Sequence, residues 1–298
     1  MLNNIIQVKQ GTTLPQAVFN SKNKLIHSSL NRFEKQSTHK GISIKYVVEG
    51  KESYCIDGEQ FCLTAGDLIL VNSGQELQCQ IKSKATTKGL CIYLDEQMVS
   101  HRYAESFLTE EQKLSSGNLP SVTPEFRNII YNKRSSSIGK TVEQLAQVMT
   151  SQKLELREEF YYKMIERLIH HHLTENQLLQ KFSCQKKSTR EERYKRIMKC
   201  VAYLHQHYDQ KLKIEEIAKI ACMSPFHFIR SFKECMTQSP NQYLEKLRLE
   251  KAAEMLLKSG LEVQEIAFRV GYLSASSFGK DFKSLFHLSP LQYRKANS

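Results

Sequence analysis

The stretches SPFHFIRSFKECMTQSPNQY (224–243) and SASSFGKDFKSLFHLSPLQY (274–293) are two copies of one pattern, 50 residues apart. They are identical at 8 of 20 aligned positions. The shared letters are a leading serine, two phenylalanines four residues apart, a lysine, a Ser-Pro pair and a Gln-Tyr pair. Serine suits a helix start because its hydroxyl accepts from unpaired backbone N–H groups, and residues four apart share one helical face. The repeat therefore predicts two helical hairpins of the same design.

Each copy has the parts of a helix–turn–helix. A short helix carrying Glu-Ile-Ala (216–218 or 265–267) precedes a tight turn, and Ser224 or Ser274 then caps the second helix. The phenylalanines are expected to pack inward on the Ile-Ala helix, which leaves a polar and basic face outward. An ordinary helical bundle with a duplicated hairpin is the alternative. The inward-facing residues predicted for the two second helices are Phe228, Phe232, Phe278 and Phe282.

The segment between the copies predicts a rigid spacer. A helix over about 240–258 has about 19 residues and a length of roughly 28 Å. Gly260 follows it and suits a left-handed C-cap. Successive major-groove faces on one side of DNA lie about 34 Å apart, so a helix of this order can hold two reading helices one turn apart.

The net charge of +12 is unevenly distributed. Residues 1–180 hold 21 Lys+Arg and 19 Asp+Glu, whereas residues 181–298 hold 22 and 12. A basic domain beside a nearly neutral one favours a polyanionic partner for the basic part. A solvated basic surface that aids solubility is the alternative.

The first third of the chain has the alternating pattern of β-strands. GISIKYVVEG (41–50) places Ile42, Ile44, Tyr46 and Val48 on one side. Asp57-Gly58 supplies the positive φ angles of a two-residue hairpin turn. ELQCQIK (76–82) and KGLCIYL (88–94) read as two further strands, the first with Leu77, Cys79 and Ile81 facing in. Short strands at this spacing predict an antiparallel barrel or sandwich.

Composition excludes several classes of protein. No apolar run approaches the roughly 18 residues of a membrane span, and the first residues lack the features of a signal peptide, so we expect a cytoplasmic protein. The eight cysteines include no CxxC pair, which disfavours structural zinc and indicates free thiols. A thiol sensor at Cys55 and Cys62 remains an alternative. His170, His171 and His172 point about 100° apart on a helix and cannot converge on one ion.

At the level of motifs the sequence resembles a known family. Residues 190–298 closely resemble the DNA-binding domain of the AraC/XylS family of bacterial transcription regulators, through EIAFRVGYLSASSFGKDFKSLFHLSPLQYR (265–294) and RLEKAAEML (248–256). The first 95 residues resemble the cupin-like sensing and dimerisation domain that commonly precedes it, through YVVEGKESYCIDGEQFCLTAGDLILVNSGQE (46–76). The resemblance implies a sequence-specific activator and a homodimer. The implied partners are double-stranded promoter DNA, RNA polymerase and a small-molecule effector.

The predicted fold class is α+β. An antiparallel cupin-like β-barrel with following helices precedes an all-α domain with two helix–turn–helix motifs joined by a linker helix. The segment 141–180, including a long helix over about 153–180, is expected either to form the dimer seam or to pack on the barrel. Three parts are expected along the chain: a sensing domain at 1–184, a linker at 185–192 and a DNA-binding domain at 193–298. The sensing domain is expected to contain the barrel at about 35–95 and helices at about 96–180. The DNA-binding domain is expected to contain helix–turn–helix motifs at about 213–236 and 263–286, which flank a linker helix at about 240–258.

Site residues are carried over from the family by position. Arg230 is the leading candidate for base readout, since its fork can pair with guanine O6 and N7. The second copy has Gly279 and serines instead of long side chains, so we expect the first copy to carry most of the specificity. The residues expected at base edges are Phe226, Ile229, Arg230, Ser276, Ser277 and Lys280. Those expected at phosphates are Ser224, His227, Lys233, Ser274 and Lys283.

The barrel is predicted to bind a small ligand and not a metal or cofactor. The sequence has no histidine from residue 40 to 100, whereas metal-binding cupin barrels use a histidine-rich ligand set. Simple filling of a small barrel core is the alternative for each predicted lining residue. An enzyme or binding protein with a nucleic-acid-tethering tail is the alternative function, but no nucleophile–base cluster or phosphate loop is present. The predicted cavity residues are Ile44, Tyr46, Tyr54, Phe61, Cys79 and Ile81.

Overall fold

The computed structural model describes residues 5–11, 23–108, 122–132, 136–151, 158–183 and 186–297. The chain divides into two units, Met1–Gln177 and Leu178–Ser298. The described part of the first unit contains a sheet followed by helices, and that of the second contains only helices. This arrangement confirms the predicted α+β class. Among the described residues, no helix combines the length and the hydropathy of a membrane span.

The described strands of the first unit form one eight-stranded sheet. Its order is β1-β2-β7-β3-β6-β8, and β4 pairs with both β5 and β7. All pairs are antiparallel except β1 with β2, which is parallel. The strands are β1 Ile5–Lys9, β2 Lys24–Thr38, β3 Ile42–Glu49, β4 Lys51–Ile56, β5 Glu59–Thr64, β6 Asp67–Val71, β7 Glu76–Leu94 and β8 Tyr131–Asn132.

Two strands differ from the sequence prediction. β2 begins at Lys24, well before the predicted start of the barrel at about 35, and the two segments predicted at 76–82 and 88–94 are one 19-residue strand, β7. β2 and β7 pair along most of their lengths, with an irregularity between Leu30 and Arg32. Their polar middle sections lack an alternating apolar pattern, and backbone pairing with the neighbouring strand holds them extended. The predicted hairpin turn is confirmed, with φ of 48° at Asp57 and 84° at Gly58.

β3 is buried on both faces. Ile44 and Tyr46 point to one side, where the Tyr46 hydroxyl bonds the Glu143 carboxylate. Lys45 and Val47 point to the other side and are equally buried. A strand covered on both faces loses the in–out contrast from which burial is inferred. The alternation of residues along β3 therefore does not show which of its faces lines a cavity.

Three helices of the described part complete the first unit. They are α1 Glu96–Glu105, α2 Ser137–Ser151 and α3 Glu158–Gln180. The apolar stripe of α3 is buried within the single chain, including Tyr161, Ile165 and Leu168. This burial agrees with packing on the chain's own unit, and the predicted residue Leu154 lies outside the described residues. His171 and His172 are buried and His170 is exposed, so the three rings do not share a face.

The second unit is built from seven described helices after the end of α3. The predicted linker at 185–192 is helical from Lys187 onward, and Gln185 lies outside the described residues. Its charged residues are good helix formers, and the pair Lys187–Glu191 at 3.9 Å supports the first turn. The helices are α4 Lys187–Gln206, α5 Ile214–Ile220, α6 Pro225–Met236, α7 Pro240–Lys258, α8 Val263–Arg269, α9 Ala275–Phe286 and α10 Pro290–Ala296.

The end of α7 differs from the sequence prediction. The helix ends at Lys258, and the next residue, Ser259, is extended with φ of −140°. Its hydroxyl donates to the Met255 carbonyl at 2.7 Å, which satisfies one of the free acceptors at the helix end. The predicted left-handed cap at Gly260 is therefore wrong, since positive φ is not found there.

Candidate nucleic-acid interface and ligand cavity

The second helix of each repeat starts at its predicted serine. The Ser224 hydroxyl accepts from the His227 backbone at 3.4 Å, and the Ser274 hydroxyl accepts from the Ser277 backbone at 3.2 Å. Both helices end in a left-handed residue with φ of 60°, Thr237 and His287. The next helices, α7 and α10, each start with a Ser-Pro pair and a complete capping box. The two hairpins therefore share the same local geometry, as the repeat predicts.

The phenylalanines of the repeat form the inner face of the second helix in each copy, α6 and α9, hereafter called the reading helices. Phe228 and Phe232 on α6 are fully buried, and their rings contact at 5.5 Å. Phe278 and Phe282 on α9 repeat this arrangement, also at 5.5 Å, and share a buried cluster with Ile266 of α8. Fully buried aromatic side chains hold a helix in a fixed orientation. The opposite face of each helix is therefore presented to solvent.

The turns between the paired helices use the same left-handed step. Cys222 has φ of 51° and Gly271 has φ of 86°, and each follows the end of a short helix. The next backbone N–H reaches back in both copies at 3.0 Å, from Met223 to Ala218 and from Tyr272 to Ala267. This is the Schellman pattern of a helix end. The first helix of each pair therefore ends in the same way in both copies, although the second turn is one residue longer.

All eleven residues proposed to contact DNA are exposed. On α6 the Phe226 side chain is 80% exposed, and Arg230 extends from the same outward face. On α9 the outward face is smaller, because Gly279 contributes no side chain. The Ser277 hydroxyl lies 2.9 Å from the Ser274 hydroxyl and donates to the Ser274 carbonyl at 3.1 Å. Base contacts by Ser277 would therefore compete with its capping contacts.

Glu234, which was not identified from the sequence, lies in the last turn of α6 and contacts three other side chains. Its carboxylate lies 3.2 Å from Arg230 Nε and 3.5 Å from Arg193 Nη1 on α4, and it accepts from the Ser183 hydroxyl at 3.2 Å. The side chain of Glu234 is only 19% exposed, so its packing holds the carboxylate in place next to the Arg230 guanidinium. The i,i+4 spacing of Arg230 and Glu234 was the available signal.

Two arginines of the basic half serve the fold and not the outer surface. Arg248 on α7 donates to the Tyr208 and Gln210 carbonyls, both at 2.7 Å. Arg294 on α10 donates to the Leu256 carbonyl at 3.2 Å and the Leu261 carbonyl at 2.6 Å. These contacts satisfy acceptors at helix ends and loops. The charge excess of this unit therefore overstates the number of cations available to phosphates.

The first unit contains a cavity of about 430 Å³, bounded by β1 to β4 and β7. Three of the predicted cavity residues, Tyr54, Cys79 and Ile81, line it. Ile44 and Tyr46 do not, because they lie on the opposite face of β3 from Lys45, which does. Phe61 also lies elsewhere, in the buried cluster formed by β3 to β7. The polar lining residues Lys24, His39, Lys45 and Glu52 were missed, because burial was assigned to apolar side chains.

Family comparisons match both units. The AraC-like ligand binding domain family matches residues 26–161, and the helix-turn-helix domain family matches residues 217–296. The chain belongs to the AraC family of transcription regulators. It joins an N-terminal ligand-binding domain to a helix–turn–helix DNA-binding domain.

Several proteins are similar to this regulator. YdeC, an uncharacterized HTH-type transcriptional regulator of Bacillus subtilis (strain 168), is 25% identical over 92% of this chain and 90% of its own. An uncharacterized HTH-type regulator of Haemophilus influenzae is 46% identical, but the match covers 28% of each chain. The solved DNA-binding domain of AdpA in complex with a target DNA is 30% identical over 34% of this chain and 90% of that one, with a TM-score of 0.33.

Proposed function

We propose that this regulator binds promoter DNA with α6 and α9 in two successive major grooves. One observation carries the proposal: two capped reading helices with exposed outer faces are connected through a single continuous helix, α7. Its 19 residues span about 28 Å, which is close to the 34–36 Å of one DNA turn. One chain would then read a non-palindromic site.

The two helices are proposed to contribute differently. Phe226, Ile229 and Arg230 reach base edges from α6, and Arg230 carries the most information because it is the one long hydrogen-bonding side chain among them. Ser276, Ser277 and Lys280 occupy the outer face of α9, where short side chains favour backbone affinity over base readout. Contacts to phosphate, which set the register, come from Ser224, His227, Lys233, Ser274 and Lys283.

The first unit is proposed to control DNA binding through a small effector in its cavity. Activation is the favoured outcome, because the Lactose operon transcription activator of Staphylococcus xylosus is 22% identical over 83% of this chain. An activator would act on RNA polymerase in the cytoplasm, and no enzymatic role is proposed. A homodimer is proposed as well. Since the apolar stripe of α3 is buried within the chain, the contacts between the two protomers would come from exposed residues such as Tyr162 and Val148.

Footprinting on sites selected from genomic DNA tests the two-groove arrangement. The expected footprint contains two half-sites about 10–10.5 base pairs apart, centre to centre, on one face of the duplex. Inserting half a helical turn between them rotates one half-site to the far face. The rigid α7 cannot follow this rotation, so affinity should fall to the level of a single half-site.

The controls separate reading from general affinity. Inserting a full helical turn returns both half-sites to one face of the duplex, but it separates them by more than the length of α7 can bridge. It should therefore also weaken binding. Lys51→Ala, which changes an exposed residue at the start of β4 in the first unit, should bind DNA as the wild type does. Binding that is insensitive to the half-turn insertion would show that only one helix reads DNA, and the two-groove proposal would then be abandoned.

A further inference from the structure

The cavity of the first unit has one apolar end and one polar end. At about 430 Å³ it lies within the range of small-molecule sites. Val8, Leu30 and Ile81 form a buried apolar cluster that also lines the cavity. The remaining lining residues that matter for its chemistry are Lys24, His39, Lys45, Glu52, Tyr54 and Tyr93. A pocket of this composition suits a ligand with an apolar body and a polar head.

The polar end converges on the Tyr93 ring. Strand register places Lys24 directly opposite Tyr93, and Lys45 directly opposite Cys91, which is two residues away on the same face of β7. Lys45 Nζ lies 2.8 Å from the Tyr93 hydroxyl and 4.0 Å from the ring centroid. Lys24 Nζ lies 4.9 Å from the same centroid, and the His39 ring lies at 5.7 Å. Three nitrogen-bearing side chains therefore surround one aromatic ring.

Among the described residues Lys45 forms no salt bridge, although its charge acts on the nearby Glu52 carboxyl. The Lys45 side chain is buried, and its hydrogen bond goes to the Tyr93 hydroxyl. The nearby Glu52 carboxyl is bonded by the Tyr54 hydroxyl instead, and burial raises its pKa, which weakens it as a counter-charge. Burying a cation without a full counter-charge is costly, and an anionic ligand at this end of the cavity would offset that cost.

Two further groups show the positive character of this end. Burial, followed by the charges of Lys45 and Lys24, lowers the pKa of His39 to about 3. Burial, followed by the charges of Lys45 and Lys35, lowers the pKa of Lys24. His39 Nε2 is also buried and has no hydrogen-bond partner in the described part of the chain. A bound anion would offset these charges and give this nitrogen a partner.

We propose that the effector is a small organic anion whose acidic head binds Lys45 and His39 and whose apolar body lies against Val8, Leu30 and Ile81. A carboxylate or a phosphate monoester supplies the required head. The inference rests on the proposed function in one respect, that the cavity holds the effector. It names the chemical class of that effector.

Calorimetric titration of the full chain tests the head group. The probes are octanoate, phenylbutyrate and octyl phosphate, with octanamide and octanol as neutral matches of the same body. The acidic probes should bind at least about tenfold more tightly than octanamide, since an ionic hydrogen bond is roughly twice as strong as a neutral one. A tighter fit of octyl phosphate than octanoate would assign the head to the phosphate class, and the reverse to the carboxylate class.

Lys45→Met keeps the length of the side chain and removes the charge. It should weaken the acidic probes about 30-fold, equivalent to about 2 kcal/mol, and leave octanamide unchanged. The matched control, Lys51→Met, changes an exposed lysine on β4 outside the cavity and should bind all probes as the wild type does. Thermal unfolding of each variant checks that it is folded.

Three results would overturn the proposal: equal binding of octanoate and octanamide to the wild type, an unchanged ratio in Lys45→Met, or no binding of any acidic probe. The first and third need no variant, so a misfolded Lys45→Met leaves the test intact. The same preparation is titrated with DNA without probe. Loss of DNA binding there would refute the proposed function, whereas absent head-group discrimination would refute only the effector class.

Discussion

Replacing Arg230 by alanine should remove base discrimination at one position of the DNA site. A bidentate arginine–guanine contact contributes about 1–3 kcal/mol of discrimination. To reach the groove, Arg230 must leave Glu234, with which it pairs at 3.2 Å. That pair is worth only about 0.3–0.5 kcal/mol, because the arginine side chain is 61% exposed and solvent screens the charges. The net loss on the matched site is therefore about 2 kcal/mol, or about 30-fold in affinity.

Arg269 provides a control of the same chemistry. It also lies on a helix of a repeat, pairs with a glutamate one turn away at 2.7 Å, and is 55% exposed. It belongs to α8, however, and not to a reading helix. Arg269→Ala should therefore weaken matched and scrambled sites by the same small factor, if it weakens them at all.

The assay is fluorescence anisotropy on a matched duplex and on a scrambled duplex at fixed salt. Arg230→Ala should lower the ratio of the two affinities about 30-fold, while Arg269→Ala should leave it unchanged. Equal losses on both duplexes for Arg230→Ala would mean that Arg230 contacts phosphate. If Lys280→Ala lowered the ratio more than Arg230→Ala did, the assignment of specificity to α6 would be refuted.

Three further predictions follow from single positions. Lys280→Ala should lower the slope of log affinity against log salt by about 1 and change the matched-to-scrambled ratio little, as titrations at several salt concentrations would reveal. Gly271→Ala should destabilise the chain by at least about 2 kcal/mol in chemical denaturation, because φ at this residue is 86° and a Cβ would lie 2.8 Å from the Asp209 carbonyl oxygen. Cys222 occupies the equivalent left-handed position, with φ of 51°, so Cys222→Gly should be neutral or slightly stabilising. Because the pKa of His39 is lowered to about 3 in the folded chain, the unfolded chain binds more protons at this residue. The free energy of unfolding should therefore fall by about 2 kcal/mol as the pH is lowered from 7 to 5. His39→Gln should reduce this pH dependence in thermal unfolding.

The helical half of the fold was predictable from local sequence. Capping serines, Ser-Pro pairs and the paired phenylalanines each act within one or two helical turns, so their meaning does not depend on distant residues. Two predictions failed there: the expected linker is helical from Lys187 onward, and the Ser259 hydroxyl, not Gly260, closes α7. The end of α7 depended on one competing local hydrogen bond, which the sequence pattern does not reveal.

The sheet was predictable only in part, because its strands are stabilised by distant partners. β2 is a continuous strand over Lys24–Thr38 because β7 supplies its hydrogen bonds, although the polar middle of β2 has little strand pattern of its own. For the same reason the cavity face of β3 could not be chosen from alternation. Ile44 and Tyr46 were as apolar as a cavity wall requires, but they lie on the face opposite Lys45, which lines the cavity.

The sequence by itself determined the repeated hairpins, their caps, the separation of the two reading helices and the family of the protein. The hairpins and their caps follow from a short-range pattern that occurs twice in the chain, and the spacer and the family follow from other continuous stretches of sequence. Only the tertiary structure decided which residues surround the cavity of the first unit and which guanidinium groups are tied to backbone carbonyls. Lys24, His39 and Lys45 meet at Tyr93 through strand register, and Glu234 gathers Arg230 with Arg193 across a helix interface. The Arg230–Glu234 pair is local, but the Arg193 contact and the meeting at Tyr93 join residues far apart in the chain, and no local pattern encodes them.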